Sequence, residues 1–167
     1  MTTTKRLSAM QAIRDDLVLV HYPAASRYDI LHALADLLFQ CGATKDTYCQ
    51  AMLDREALYP TGLPTEGIRV ALPHADAIYV NFSALAVATL EKSVQFHEMG
   101  GEPDSLLDVE IVLMLANADP EEQVETLRML VDFFDEPSVL ESLLKAETPA
   151  QIVSLLRQGY YRRENDV

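Results

Sequence analysis

VEIVLMLA (residues 109–116) and NFSALAVATL (residues 81–90) are the longest apolar runs in the chain, and they decide its fold. Both are rich in branched side chains, and such near-continuous hydrophobicity is typical of central strands that are covered on both faces. Shorter runs at residues 16–20 and 68–72 predict two further buried strands, and residues 94–96 predict a short edge strand. The sequence therefore predicts a small sheet of about four to five strands.

Segments with helical periodicity and recognisable ends flank these strands. Capping residues such as Ser26 and Thr148 precede apolar residues at helical spacing, and glycine or proline follows the apolar residues. The predicted helices are bounded by Ser26 and Gly42, Lys45 and Leu58, Asp119 and Phe134, Pro137 and Leu144, and Thr148 and Gly159. In the third of them, one apolar stripe is predicted to comprise Val124, Leu127, Leu130, Val131 and Phe134. Helices on both faces of the strands predict an α/β sandwich around a small mixed, mostly parallel sheet.

One domain accounts for most of the chain. No repeat or low-complexity linker divides the 167 residues, and the densest cluster of glycine and proline, residues 60–67, predicts a loop. We predict a domain over residues 16–160, preceded by an N-terminal extension, residues 1–15, and followed by a C-terminal tail, residues 161–167. A domain of this length can bury roughly two-thirds of the surface that the unfolded chain exposes.

Charge and composition argue against several classes of partner. The 13 basic and 26 acidic residues give a net charge of −13, which disfavours binding to nucleic acid or to an anionic membrane surface. The chain has no apolar run of the roughly 18 residues that a membrane helix needs. Its start lacks the apolar core of a secretory signal, so a cytoplasmic protein is expected. Cys41 and Cys49 do not have the spacing of a CxxC pair, and we expect reduced, structural thiols.

Histidines are the candidates for chemistry, because the chain lacks the common nucleotide-binding, serine-hydrolase and zinc-protease motifs. His74 comes directly after a short buried strand and Pro73, at the kind of strand end where α/β proteins bind ligands. One nitrogen of a neutral imidazole can act as a nucleophile while a backbone carbonyl, or the carboxylate of Asp76, holds the other. The residues alone still favour an ordinary loop histidine. No metal-ligand spacing links any two of the four histidines, which are His21, His32, His74 and His97.

A longer pattern around His74 is more specific than the histidine itself. The stretch LDREALYPTG (residues 53–62), followed by GIRVALPH (residues 67–74), resembles the signature of the fructose/mannitol-type, or type 2, enzyme IIA. This family belongs to the bacterial phosphoenolpyruvate-dependent sugar phosphotransferase system. Its pattern is an Arg-Glu pair that closes a helix, a Thr-Gly turn, and an apolar strand that ends in Pro-His. The resemblance extends from about Leu17 to Leu156 and implies the same alternation of strands and helices.

The resemblance implies roles for individual residues. His74 would be the phosphorylated nucleophile, and Arg55 would offer a fixed guanidinium to the phosphate. Thr61 and Gly62 would lie in the adjoining loop, where a hydroxyl and backbone N–H groups can meet phosphate oxygens. Without the resemblance, Arg55 would be interpreted as a cation that balances the helix dipole. For Glu56 two roles stay open: a surface partner of Arg55, or an ordinary helix residue.

Two further positions, Pro73 and Gln123, complete the expected phosphate- and partner-binding set. Pro73 fixes the direction in which the chain leaves the sheet. Gln123 stands where mannitol-type members often carry a second histidine, and its amide could still donate a hydrogen bond. The Pro-Thr-Gly turn, the segment LPHADAI (residues 72–78) and this glutamine are more similar to the galactitol-specific members.

The resemblance implies a phosphoryl carrier. His74 would accept phosphate from phospho-HPr, on Nε2 as the family suggests, and pass it to a cysteine of a sugar-specific enzyme IIB. Enzyme IIB would in turn serve a membrane enzyme IIC for galactitol or a related polyol. No metal or other cofactor is implied. Two alternatives stay open: a regulatory protein whose phosphorylation state is read by a partner, and a metabolite-binding α/β domain without phosphoryl chemistry.

Overall fold

Five strands of the described chain form one mixed sheet around a central antiparallel pair. A computed structural model describes residues 8–165. The strands are β1 Val18–Tyr22, β2 Gly62–Leu63, β3 Arg69–Ala71, β4 Ala84–His97 and β5 Leu106–Ala116, in the sheet order β1-β4-β5-β3-β2. β4 pairs antiparallel with β5, while β1 joins β4 and β3 joins β5 in parallel. β2 pairs antiparallel with β3, and the predicted mixed sheet is confirmed.

Helices cover both faces of this sheet, which confirms the predicted α/β sandwich. Within residues 8–165 they are α1 Ser8–Gln11, α2 Arg27–Gln40, α3 Tyr48–Leu58, α4 Pro120–Phe133, α5 Pro137–Lys145 and α6 Pro149–Asn165. Apolar side chains of α2 and α3 pack on one face, and those of α1, α4, α5 and α6 pack on the other. Residues 1–7 and 166–167, which belong to the predicted extension and tail, lie outside the described residues, and the domain boundaries stay predictions.

Alternation along β5 fills the hydrophobic cores on both sides of the sheet. Ile111, Leu113 and Leu115 face α4, α5 and α6, whereas Val112 and Met114 face α2 and α3. On the first half of β4, Ala84, Ala86 and Ala88 face this side, and their small side chains leave room for α2. A strand that is buried on both faces needs apolar residues at consecutive positions, and this need explains the hydrophobicity of residues 109–116.

The strand predictions are wrong at several ends. Residues 94–96 do not form a separate edge strand. They belong to β4, which continues past a bulge between Thr89 and Val94 and stays paired with β5 as far as His97. The predicted loop over residues 60–67 contains β2, whose two residues pair with the edge of β3. β1 begins at Val18 because Asp15–Leu17 forms a 3₁₀ turn. Each of these differences comes from a pairing or turn that apolar periodicity does not report.

The predicted helix from Lys45 to Leu58 begins late, as α3 at Tyr48. The backbone N–H of Lys45 donates to the carbonyl of Tyr79 at 2.9 Å, and its Nζ donates to the carbonyl of Ile78 at 2.6 Å. Both bonds tie Lys45 to the 3₁₀ turn that follows the third strand, so the helix starts only beyond it.

The predicted apolar stripe of α4 is partly wrong, because Val124 and Val131 are 57% and 41% exposed. The helix instead turns Glu122 and Thr126 inwards. Thr126 can be buried because its hydroxyl donates to the Glu122 carbonyl at 2.7 Å and accepts from the Asn117 amide at 3.5 Å. These polar contacts fix the rotation of α4 about its axis.

Gly159 lies inside α6 and does not end it, contrary to the prediction, since the helix continues to Asn165. A Cβ at this position would lie 1.8 Å from Cε2 of Phe133, in α4. Only glycine leaves space for that ring, so Gly159 marks a close approach between α4 and α6 rather than a helix terminus.

We expect Gly159→Ala to destabilise the protein, because the added methyl group displaces the Phe133 ring at a cost of about 1–3 kcal/mol. The helical preference of alanine over glycine, about 0.5–1 kcal/mol, offsets only part of this loss. Urea unfolding followed by circular dichroism measures the free energy of unfolding. In a Phe133→Leu background the same change should cost clearly less, and an equal cost in both backgrounds would contradict the contact.

Candidate functional site around His74

His74 is held at the carboxyl ends of two neighbouring strands. β3 ends at Ala71, and the chain then continues beside β5, where His74 forms an isolated parallel bridge with Leu115. The N–H of Leu115 donates to the carbonyl of Pro73 at 3.1 Å and ties the chain in place. From α3, the hydroxyl of Tyr48 donates to the Leu115 carbonyl at 2.8 Å. Strand ends of this kind are where open α/β sheets present ligand-binding groups.

The imidazole of His74 has one nitrogen engaged and the other open. Nδ1 lies 2.8 Å from the carbonyl oxygen of Leu72, and because a carbonyl only accepts, Nδ1 carries the hydrogen of the neutral ring. The lone pair is then on Nε2. The residue is only 7% exposed, and Nε2 has no hydrogen-bond partner among the described residues. Nε2 is not, however, one of the polar atoms in this part of the chain that are fully buried without a partner, so it keeps some exposed surface. The ring is thus fixed in one tautomer and offers Nε2 to solvent.

Burial and charge together keep this imidazole neutral. Burial lowers the pKa of His74 below its ordinary value, and the positive charge of Arg55 lowers that pKa further. The hydrogen bond to the Leu72 carbonyl and the negative charge of Asp76 oppose the shift without reversing it. A neutral ring has the free lone pair that a nucleophile needs.

Arg55 brings a guanidinium to the site, and part of it is unpaired. The residue stands in the last turn of α3, and its Nη1 donates to Oδ1 of Asp76 at 3.2 Å. Its guanidinium carbon lies 5.6 Å from the centre of the Tyr59 ring. Nε is buried and has no acceptor among the described residues. Of the two orienting groups that the sequence allowed for His74, the backbone carbonyl of Leu72 is the one used, because Asp76 pairs with Arg55.

Glu56 is buried, so it is not the surface partner of Arg55 that the sequence allowed. Its carboxylate accepts a hydrogen bond from the backbone N–H of Thr61 at 3.0 Å and from the Thr61 hydroxyl at 2.8 Å. Burial raises the pKa of Glu56, while the two Thr61 bonds and the charge of Arg27 oppose that rise. Both donors of Thr61 are occupied, and this geometry differs from the phosphate contact expected of that residue.

Gly62 is required by a close approach of the backbone. It pairs with Ala71 of β3, and a Cβ at this position would lie 2.6 Å from the carbonyl oxygen of His97. Its own carbonyl accepts from the N–H of Met99 at 2.8 Å. Gly62 therefore joins the end of β4 to the edge of the sheet, and packing accounts for the glycine.

Gln123 lies in the first turn of α4, just beyond the end of β5 to which His74 is bridged. Asp119 caps this helix by accepting a hydrogen bond from the N–H of Glu121 at 2.9 Å. Oε1 of Gln123 is buried and has no donor among the described residues. The amide is therefore held at the same end of the sheet as His74, with an unused acceptor.

The structure brings three of the predicted residues together at the imidazole, namely His74, Pro73 and Arg55. The remaining ones belong to the elements that surround this group. Within residues 8–165, no three His, Cys, Asp or Glu side chains are grouped so that they could hold a metal ion. In the same part of the chain, no helix has the length and apolar character needed to cross a membrane.

We expect the imidazole of His74 to titrate below the ordinary histidine pKa of about 6.5, because burial disfavours its charged form. Between the two pKa values, the unfolded chain then binds more protons than the folded one. The contribution of His74 to stability is therefore fully present above about pH 6.5 and is lost as the pH falls through the folded pKa.

Proton and nitrogen-15 NMR of the ring measures this pKa, with the same chain in urea as the unfolded reference. A midpoint for the folded protein at or above that of the unfolded chain would contradict the burial of the ring.

Sequence comparisons relate the chain to known proteins. The family model described as "Phosphoenolpyruvate-dependent sugar phosphotransferase system, EIIA 2" matches residues 11–159. The PTS system galactitol-specific EIIA component of Escherichia coli (strain K12) is 30% identical over 118 residues, which cover 71% of this chain and 77% of that protein. The nitrogen regulatory protein of Pseudomonas aeruginosa is 29% identical over 140 residues, which cover 83% of this chain and 87% of that protein.

A solved structure shares the fold. One chain of the Escherichia coli complex of enzyme IIAMTL and phosphorylated enzyme IIBMTL matches with a TM-score of 0.70 and 23% identity. The match covers 87% of this chain and 96% of that chain. At this level of identity the likeness concerns the α/β sandwich as a whole.

Proposed function

Since the chain belongs to the EIIA 2 family of the phosphoenolpyruvate-dependent sugar phosphotransferase system, we propose that His74 is the residue that carries its phosphoryl group. Members of this family are phosphotransferase components that transfer phosphate through a histidine. The ring geometry supports His74 most directly, because Nδ1 donates to the Leu72 carbonyl 2.8 Å away and leaves Nε2 as an open nucleophile. Arg55 supplies a positive charge beside it, with a buried and unpaired Nε.

The proposed step is an in-line displacement at phosphorus. The lone pair of Nε2 forms a bond to phosphorus while the nitrogen–phosphorus bond of the donor breaks, and the electrons of that bond return to the donor imidazole. The hydrogen stays on Nδ1 throughout, so the Leu72 carbonyl stabilises the positive charge that the His74 ring acquires. Positioning and relief of negative charge on the phosphoryl oxygens account for most of the acceleration.

Arg55 and Gln123 are the proposed contacts of the phosphoryl oxygens. Nε of Arg55 is a charged donor without an acceptor in the part of the chain that the structure describes, and a phosphoryl oxygen would supply one. The amide of Gln123 has N–H groups that can donate from the start of α4. Pro73 contributes by fixing the direction of the chain at the nucleophile.

Phospho-HPr is the proposed donor, and a cysteine of enzyme IIB is the proposed acceptor, upstream of a membrane enzyme IIC. The family supports this relay, and the Escherichia coli IIAMTL fold is known in complex with phosphorylated IIBMTL. Galactitol or a related polyol is the proposed sugar, supported by the 30% identity to a galactitol-specific component. The sugar itself would contact the later components of the relay and not this chain.

A regulatory function is the second candidate, and the likeness to the nitrogen regulatory protein of Pseudomonas aeruginosa favours it. In that case a partner would read the phosphorylation state of His74. Reconstitution with enzyme IIB separates the two functions. Movement of phosphate from His74 to a IIB cysteine supports the relay, whereas phosphorylation by HPr without transfer to any sugar-specific IIB supports regulation.

We expect phosphoenolpyruvate, enzyme I and HPr together to label the wild-type protein with phosphate that is stable in alkali and labile in acid, as on a phosphohistidine. His74→Ala should take no label, because the nucleophile is absent. His32→Ala, at an exposed position of α2, is the matched control and should be labelled like the wild type. Radiolabelled phosphoenolpyruvate gives the measurement, and an unlabelled wild type would favour the metabolite-binding domain instead.

We expect Arg55→Gln to slow transfer from phospho-HPr by about 100-fold, because one charged donor is lost where negative charge must be stabilised. Arg55→Lys should fall between this variant and the wild type, since it keeps the charge but not the planar fork. Rapid-quench kinetics measures the rate. Arg128→Gln, at an exposed position of α4, makes the same change in net charge, and equal rates for Arg55→Gln and Arg128→Gln would refute the contact.

A further inference from the structure

We propose that Glu56 is a positioning residue for His74: through Thr61 and the backbone of Leu72, its buried carboxylate holds the imidazole with its hydrogen on Nδ1. This proposal rests on the proposed function of His74, because it concerns the nitrogen that receives the phosphoryl group. The influence passes along three consecutive contacts from the end of α3 to the ring.

The first contact joins the end of α3 to the start of β2. Glu56 is 7% exposed and Thr61 is 2% exposed. The carboxylate accepts from the Thr61 N–H at 3.0 Å and from the Thr61 hydroxyl at 2.8 Å. Because both donors of Thr61 end on one carboxylate, its backbone and its side-chain rotamer are fixed together.

The second contact joins Thr61 to the segment that leads to His74. The N–H of Leu72 is shared between the hydroxyl oxygen of Thr61 at 3.2 Å and the carbonyl oxygen of Thr61 at 3.3 Å. The hydroxyl presents a lone pair to Leu72 because its own hydrogen is directed at Glu56. The position of Leu72 is thus set by a residue that the carboxylate holds.

The third contact fixes the tautomer. Leu72 directs its N–H at Thr61 and its carbonyl at Nδ1 of His74, 2.8 Å away. A shift of Leu72 therefore moves the acceptor of the ring hydrogen, and a poorer acceptor lets that hydrogen occupy Nε2 instead. With the hydrogen on Nε2, the lone pair is on Nδ1, which faces the backbone, and the open nucleophile is lost.

A carboxylate suits this place better than an amide does. Ionised Glu56 has acceptors only, which match the two donors of Thr61: Oε1 lies 3.0 Å from its nitrogen and 3.1 Å from its hydroxyl oxygen, and Oε2 lies 2.8 Å from that oxygen. A glutamine would keep one of these two acceptors and replace the other by an N–H donor. Burial of the charge costs stability, as the raised pKa of Glu56 indicates, and the hydrogen bonds offset part of that cost. The charges that shift the pKa of His74 are those of Arg55 and Asp76, and the proposed influence of Glu56 passes through the hydrogen bonds to Thr61 and Leu72.

The test uses two variants that break the first contact from opposite sides. Glu56→Gln keeps the shape of the side chain and replaces one acceptor by a donor, while Thr61→Val removes the hydroxyl at nearly constant volume. Thr61→Ser keeps the hydroxyl and should restore the wild-type behaviour. Thr65→Val is the matched control, because the Thr65 hydroxyl donates at 2.6 Å to the carbonyl of Ile68, outside this series of bonds.

Nitrogen-15 NMR of the unphosphorylated ring reports the tautomer directly and needs no partner protein. We expect the hydrogen on Nδ1 of His74 in the wild type, in Thr61→Ser and in Thr65→Val, and a mixture of tautomers in Glu56→Gln and Thr61→Val. In the latter two, kcat for transfer from phospho-HPr should fall about 10- to 100-fold with little change in KM, as on loss of a partner that orients a histidine ligand.

The proposal would be overturned if both Glu56→Gln and Thr61→Val kept the wild-type tautomer and lost no more stability than Thr65→Val. That result would leave the proposed function of His74 unaffected. Failure of the proposed function is a different result, namely a wild type that takes no phosphate while its ring tautomer still responds to Glu56→Gln. If one of the two variants does not fold, the other examines the same bond and decides the outcome.

Discussion

The hydrogen bond from Nδ1 of His74 to the Leu72 carbonyl, 2.8 Å long, is the contact on which the candidate site depends. It decides which nitrogen has the lone pair and which edge of the ring faces outwards. The fold maintains this bond because β5 holds Pro73 and His74 through Leu115 after β3 has ended. The proposed nucleophile is therefore placed by the backbone of two adjacent strands rather than by a free loop.

The mixed sheet explains why polar groups gather at one end of it. β3 and β5 are parallel, so their carboxyl ends lie side by side, and α4 begins just beyond β5. β4 runs in the opposite direction to β5, and its last residue, His97, pairs with Leu106 at the start of β5. His74 is bridged to Leu115 near the other end of that strand.

Patterns in the sequence predicted what depends on neighbours along the chain: the central strands, the helix caps and the order of the layers. The errors concern contacts between distant residues, as at Gly159, which looks like a helix end until the ring of Phe133 is placed against it. The same distinction separates the site residues that the sequence predicts from those that it does not. His74 was found because a family pattern includes it, and a lone histidine would not have stood out. The burial of Glu56 follows from the donors of Thr61 beyond the helix end, which neither periodicity nor composition reports.

Asp76 limits how strongly Arg55 can bind a phosphoryl group. Its carboxylate is 66% exposed and already accepts from the guanidinium, so an arriving phosphoryl group would meet a shared cation and a like-charged neighbour. A phosphoryl carrier has to release its phosphoryl group as readily as it accepts it. In the proposed relay, weak binding of the phosphoryl group would keep the free energies of the phosphorylated donor, carrier and acceptor close to one another, so that phosphate could move in either direction and consumption downstream would set the net flux.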